Sequence, residues 1–540
     1  MWRFPRVPRR LPRHGPVVPV PAPRSMSRSF GRVAALQAAF LVTASTYIAY
    51  GISIVVGAVV ARALGPADYG QYAYIVWLAG LLVLLANNGL TTSGIRFVSE
   101  CLGRERPQQA GRVHAWLYRR QLASVALVLV LFAAWAVWLP TTKWPVHLPT
   151  LLAVVGICVY TKSVYVFDVS IAKGYGNFRV EPYTTVVSSV LSGAAALVLA
   201  RSGAGVTAFI LLFVVTSAGI HLFGAWMLRT QGIRPARGTV DPEVMVELRS
   251  HLFWTTVLAI SVALGTRSIE TYILASRFGP EPVAFYTIAG GLMRGSADLL
   301  TVGLAAVLLP AMSRAHGAGG LERVRPIFSD SLRYLTFLGL LLAGGGALWS
   351  DPVVRLIYGP KYLPAIPVLQ AMLICMGISM SDATTGALLT TTGRQQARAW
   401  IVVGNLAVSA VLAIVLVPAY GLLGATLSYV IARTAYSVAV GIHALLATGT
   451  RLPAARLLRL LASAALAVMV ALSIQRLLAG TLGWLVAGVV YGLLFIVLSI
   501  VLRAWTPHDA ELALQVAGRA PRLLSWTRPL FELWRRRFTH

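Results

Sequence analysis

The sequence predicts an all-α polytopic membrane protein of about fourteen transmembrane helices, arranged as two pseudo-symmetric six-helix lobes around a central cavity, with two further helices at the C-terminal end. Three observations carry this prediction: an apolar composition, a series of apolar runs of spanning length, and short motifs that recur at a nearly fixed offset. Hydrophobic residues make up 57% of the 540 and charged residues 12%, with a mean hydropathy of +0.73. Soluble domains carry roughly a quarter charged residues, so lipid is the solvent for most of this chain.

A hydrocarbon core about 30 Å thick takes around 20 apolar residues per helix. Runs of that kind fall at 36–62, 72–94, 120–139, 148–172, 183–201, 204–228, 252–276, 282–312, 332–350, 363–391, 399–418, 421–447, 457–478 and 482–502, and are numbered here as spans 1 to 14. Basic residues near helix ends stay on the cytoplasmic side. Of the 47 Lys and Arg, 36 lie in the two tails and the even-numbered connectors, seven in the odd-numbered connectors and four within spans. Both termini are therefore expected in the cytoplasm of a cell whose inner (plasma) membrane holds the chain. The same distribution explains the net charge of +29. It faces anionic headgroups, and the short connectors cannot gather it into a nucleic-acid-binding domain.

The third observation is internal repetition. Leu64-Gly65-Pro66 with Tyr72, between spans 1 and 2, returns as Phe278-Gly279-Pro280 with Tyr286, between spans 7 and 8. Gly176 and Gly205-Val206 return as Gly393 and Gly421-Leu422. Parallel repeats of this kind enclose a substrate path in many transporters. The expected division is a disordered basic tail over 1–34, a six-helix lobe over 35–228, a linker over 229–250, a second lobe over 251–448, spans 13 and 14 within 457–503, and an amphipathic basic tail over 504–540. Met26, just before the first apolar run, offers an alternative start.

Charges inside spans point to function, since each costs at least about 2.5–3.5 kcal/mol at the bilayer centre on insertion scales. They are Lys162, Asp168, Arg267, Glu270, Arg294, Asp298, Asp382 and Arg433. Arg267 with Glu270, and Arg294 with Asp298, share a helical face and could neutralise each other locally. The other reading has Arg267 and Arg294 facing a cavity, where guanidinium forks match phosphate oxygens. Glu270, Asp298 and Asp382 are candidates for coupling transport to a Na⁺ or H⁺ gradient. Arg433 reads as a structural partner to a carboxylate, and Trp77, Trp135, Trp138, Trp144, Trp349 and Trp484 as interface anchors.

Catalytic chemistry has no visible support. The chain has no Ser/His/Asp order, no metal-binding cluster and no phosphate-binding Gly loop with Lys, and Cys101, Cys158 and Cys375 are scattered. The expectation is a protein that is not an enzyme and has no resident cofactor or metal. A membrane polysaccharide polymerase would be expected to carry a large extracytoplasmic loop, and the longest external connectors, around 140–147 and 351–362, are too short for one.

The stretch Ala61-Arg62-Ala63-Leu64-Gly65-Pro66-Ala67-Asp68-Tyr69-Gly70-Gln71-Tyr72 resembles the signature between the first two helices of the polysaccharide flippase family, which belongs to the multidrug/oligosaccharidyl-lipid/polysaccharide exporter superfamily. The likeness continues at Phe285-Tyr286, Leu309-Pro310-Ala311-Met312-Ser313-Arg314, Ile357-Tyr358-Gly359, Thr392-Gly393-Arg394 and Val417-Pro418-Ala419-Tyr420-Gly421. It implies two lobes in a V around a cavity that alternates between the two sides, carrying a polyprenyl-diphosphate-linked oligosaccharide outward for polysaccharide biosynthesis. Sister branches export drugs or flip lipid II. The resemblance also implies that spans 1, 2, 7 and 8 line the cavity. Arg267 and Arg294 would then contact the diphosphate, joined by Asn87, Asn88 and Arg96, with Arg62 at the outer end. The partners implied are the lipid-linked oligosaccharide, membrane lipids, and a polysaccharide polymerase with its chain-length regulator.

Overall fold

A computed structural model describes residues 32–136, 148–266, 269–450, 452–478, 480–507, 509 and 511. Among them the fold is helical throughout, without strands. The expected tails fall mostly outside the described residues, as do Trp138 and Trp144.

The two longest helical stretches cannot each be one span. Arg32–Asn87 would extend about 84 Å and Pro280–Ile357 about 117 Å at 1.5 Å per residue, far more than a bilayer. The helical path of the first breaks at Gly65, where φ is 74°, and that of the second at Gly319 and Gly320, the latter with φ 63°. A third long stretch, Gln395–Thr448, breaks at Gly421. Glycine adopts this left-handed backbone without the Cβ penalty, which is why hydropathy runs end there.

With these breaks, spans 1 and 2 are 32–64 and 66–103, spans 3 to 6 are Pro107–Ala136, Leu148–Gly174, Val180–Arg201 and Val206–Thr230, and span 7 comprises Pro242–Thr266 and Ile269–Phe278. Spans 8 and 9 are 280–318 and 321–357, and span 10 comprises Ala365–Ser379 and Asp382–Thr391. Spans 11 and 12 are 395–420 and 422–448, followed by Ala454–Leu477 and Gly480–Val501 as spans 13 and 14. The fourteen-span expectation holds, and the Gly65-Pro66 and Gly279-Pro280 turns of the repeat share a positive-φ glycine, at 74° and 84°.

Several helices run past their apolar runs. The connector after span 6 is non-helical only over 231–241, shorter than the expected linker, because span 7 already starts at Pro242 with Glu243 in its first turn. Proline at the first helical position and an acid near the helix N-terminus both favour that start. Such a polar turn lies outside hydrocarbon, where hydropathy cannot register it.

Small residues bring the helices close, as expected where lipid gives no hydrophobic drive between them. A β-carbon on Gly339 would stand 2.0 Å from the Gly377 carbonyl oxygen, so spans 9 and 10 touch backbone to backbone. Spans 13 and 14 lie on span 9: Tyr491 donates to the Leu340 carbonyl at 2.6 Å, and the Phe337 and Phe495 rings stack at 4.9 Å. Trp349, expected at an interface, is partly exposed and donates to the Leu485 carbonyl, tying span 9 to span 14. After span 14, Asp509 accepts from Arg333 at 2.7 Å, pinning the chain to the base of span 9.

Candidate functional site

Where the two lobes meet, spans 1, 2, 7, 8, 11 and 12 enclose a cavity of about 650 Å³. Its wall is aromatic toward the Gly65 turn, with Tyr69, Tyr72, Tyr286 and Tyr358, and polar deeper in, with Ser53, Thr287, Asn405 and Ser409. The charged residues on its described lining are Glu270, Arg294 and Arg433.

Arg294 of span 8 is exposed to the cavity and has no ion-pair or hydrogen-bond partner among the described residues. Its guanidinium folds back over Gly290, where a β-carbon would stand 3.3 Å from Nη1. The Asp298 side chain, the expected local partner, and all of Arg267 lie outside the described residues.

Arg433 of span 12 was expected to be structural, and it does pair with Asp382 at 3.0 Å. Ser437 adds a hydrogen bond to the same Asp382 oxygen at 2.8 Å. Yet Arg433 also lines the cavity, so one guanidinium serves both. Asp382 opens the second half of span 10, directly after the break at Met380 and Ser381. Irregular backbone at this depth is tolerated where protein or a cavity surrounds it.

Glu270 is 1% exposed. Its Oε1 accepts from Ser428 at 2.9 Å and from Ser409 at 3.5 Å, while Oε2 is buried without a partner among the described residues. An unsatisfied buried acceptor costs about 1–3 kcal/mol, more when charged, and a proton or a bound cation removes that cost.

Asn87, Asn88 and Arg96 are not on the described cavity lining, and Arg62, expected at its outer end, is not on it either. Asn87 is buried and donates to the Val83 carbonyl of its own helix at 3.0 Å. Asn88 bridges to Ser124 at 2.9 Å and accepts from Thr256 at 3.4 Å. Arg96 pairs with Glu247 at 2.6 Å, joining spans 2 and 7 at the end that carries the basic connectors. Arg62 sits at the opposite end, donating to the Leu356 carbonyl. Asn88, Arg96 and Arg62 are spent on contacts between helices and Asn87 on its own helix, a fate that sequence spacing cannot reveal. Trp77, read as an anchor, instead forms cavity wall and stacks on Tyr74 at 5.5 Å. Of the other in-span charges, Lys162 lies over the Phe213 ring at 3.9 Å and Asp168 is buried within the first lobe.

Both ends of the seam are closed. At the basic end a β-carbon on Gly89 would stand 2.4 Å from Thr255 Oγ1. At the other end one on Gly70 would stand 1.9 Å from the Pro280 carbonyl oxygen, and Tyr362 donates to the Ala61 carbonyl at 2.6 Å.

A family model described as polysaccharide biosynthesis protein matches residues 59–367, more than half of the chain. The chain belongs to this family. As a family member it also shares its fold with solved transporters. A lipid II flippase MurJ structure in an inward closed conformation aligns with TM-score 0.67 at 14% identity, covering 86% of this chain and 98% of that one. An inward-facing multidrug resistance MATE family transporter of the MOP superfamily aligns with TM-score 0.59 at 14% identity, covering 75% and 94%. A MOP superfamily transporter from Pyrococcus furiosus Vc1 (DSM3638) aligns with TM-score 0.52 at 14% identity, covering 76% and 95%. No curated protein matches by sequence. The chain is thus a multi-pass membrane protein, and the solved structures that share its fold are transporters.

Proposed function

We propose that this protein is a flippase that carries a polyprenyl-diphosphate-linked oligosaccharide across the inner membrane by alternating access, without covalent chemistry. Its basic end would face the cytoplasm. The observation that carries the reading is Arg294: a permanently charged guanidinium, without an ion-pair partner among the described residues, on the wall of a seam cavity inside an apolar bundle. Such a group persists in a membrane only to meet a partner, and diphosphate oxygens match its fork. Arg433 stands ready as the second cation once its Asp382 contact loosens. Two guanidiniums on one wall, one of them held by Asp382 until that contact loosens, suit an anionic headgroup. Pockets of roughly 300–1,000 Å³ bury drug-sized ligands, so about 650 Å³ suits the diphosphate with its proximal sugar.

Alternation has its moving contacts in the two closures of the seam. Loss of Arg96–Glu247 and the Gly89 contact would open the basic end, and loss of the Gly70 contact with the Arg62 and Tyr362 hydrogen bonds would open the other. Glu270 is the candidate for gradient coupling: a proton or Na⁺ on its free oxygen would alter its grip on Ser409 and Ser428, which belong to spans 11 and 12.

The test is translocation in proteoliposomes of two lipids sharing the polyprenyl diphosphate, one with a polysaccharide repeat unit and one being lipid II. Movement of the first, lost in Arg294→Ala, is the expected result. Preferential movement of lipid II would assign the chain to the sister branch, and movement of neither would refute the proposal.

A further inference from the structure

Beside the headgroup cavity lies a second cavity of about 560 Å³, formed by spans 2, 3, 7 and 11 where the two lobes meet. Its described lining is Leu, Val, Ile, Ala and aromatic, with only the Tyr272 and Ser409 hydroxyls and the Trp indole N–H groups polar and no charged residue among the described residues. Trp77 and Ser409 line both cavities, so the two are continuous through these side chains. Leu131 on its rim is 59% exposed on the outer face of span 3, where Leu127 and Val130 are exposed as well. The groove therefore runs from the polar cavity toward lipid.

Elsewhere the described seam is shut. Where span 1 meets span 8, a β-carbon on Gly295 would stand 3.3 Å from the Tyr50 ring and 3.7 Å from Ile54. Toward the basic end, Gly89 lies against Thr255 and Thr256. Among the described residues the groove thus offers an apolar way out to a headgroup that remains attached to a hydrocarbon chain.

We propose that this groove seats the isoprenoid chain of the transported lipid next to its diphosphate, while the headgroup occupies the Arg294 cavity. The inference rests on the flippase reading. Its lining suits that chain: Trp77, Phe132, Trp135 and Tyr272 offer flat ring faces, with Trp135 and Tyr272 meeting across the seam at 5.5 Å. Planar alkene units pack on such faces. In lipid the groove gains no hydrophobic free energy, since acyl chains are as apolar as its walls. Its contribution is orientation through packing, holding the tail at the lobe seam while the lobes move.

The test uses the full chain in lipid nanodiscs with a polyprenyl diphosphate N-acetylglucosamine carrying a diazirine near the diphosphate end of its isoprenoid chain. A phosphatidylethanolamine with a diazirine on its acyl chain is the comparison probe. The first should label the segments holding Leu85 and Leu131, and unlabelled polyprenyl lipid should compete. Filling the groove with Leu131→Trp, whose site faces lipid and leaves the core untouched, or with Ala410→Trp should lower both labelling and translocation by about tenfold. Capture of a geranyl diphosphate sugar, too short to fill the groove, should persist in these variants and depend on Arg294. Equal labelling by the phospholipid probe, transport unchanged by both groove variants, or crosslinks running instead to a second protein would overturn the proposal. If groove labelling held while short-chain capture ignored Arg294→Ala, the headgroup reading would fail and the groove assignment would stand.

Discussion

Replacing Arg294 with alanine removes a guanidinium that has no described protein partner, whereas Arg333→Ala removes one that is 1% exposed and bonded to Asp509 at 2.7 Å and Asp330 at 3.0 Å. The two substitutions delete the same group yet should act in opposite ways. A hydrogen bond to a charged group contributes about 1.5–3 kcal/mol, so losing the Arg294 contact to a diphosphate should weaken headgroup binding about 10- to 150-fold. Folding stability should stay within about 0.5 kcal/mol, since no charge among the described residues is stranded. Removing one partner of a buried ion pair costs about 3–5 kcal/mol, so Arg333→Ala should unfold at distinctly lower temperature in detergent. Headgroup affinity per folded molecule should survive there. The assay pairs thermal unfolding with binding of a short-chain polyprenyl diphosphate sugar. If Arg294→Ala lost stability as Arg333→Ala does while its affinity held, the arginine would be a structural element and the cavity assignment would fail.

Three further outcomes follow from the same geometry. Glu270→Gln should keep the Ser428 and Ser409 contacts yet make translocation insensitive to collapse of the cation gradient; a gradient response equal to that of the native chain would reject coupling at this site. Asp382→Asn should free Arg433, tightening headgroup binding and slowing release, and a double-mutant cycle with Arg433→Ala should give a coupling of about 0.5–3 kcal/mol in stability; additivity would show the pair to be energetically idle. Gly70→Ala inserts a β-carbon 1.9 Å from the Pro280 carbonyl oxygen, so the backbone must part there. A cysteine at Ser53 should then react faster with an impermeant thiol reagent added from that end, against the low background of three buried native cysteines; unchanged reactivity would deny that this contact seals the cavity.

Span number, the repeat and the turns were legible in the sequence because each has a one-dimensional signature: an apolar run, a fixed offset, or a glycine that takes positive φ, as at Gly65 and Gly279. Azimuth has none. Transmembrane helices present apolar side chains toward lipid and toward neighbours alike, so hydropathy cannot tell which face of span 2 looks inward. In-span polarity alone therefore points Asn87, Asn88 and Arg96 to the cavity, whereas they bind Val83, Ser124 and Glu247. Arg433 was read as structural for the same reason: its pairing to Asp382 followed from the cost of a lone charge in lipid, but its second role depends on where span 12 meets span 8. One signal was available for Trp77. It lies five residues beyond Tyr72, well inside the span and away from the interface where anchors sit.

The central claim is that a diphosphate-sugar headgroup passes through the seam cavity. A photo-crosslinking amino acid in place of Thr287, on the cavity wall about two turns from Arg294, tests it directly during turnover with a polyprenyl-diphosphate-linked oligosaccharide. The account predicts a covalent adduct to the sugar that disappears in the Arg294→Ala background and is absent when the crosslinker stands at lipid-facing Val215. Turnover with no adduct at Thr287, or with equal adducts at both positions, would contradict it.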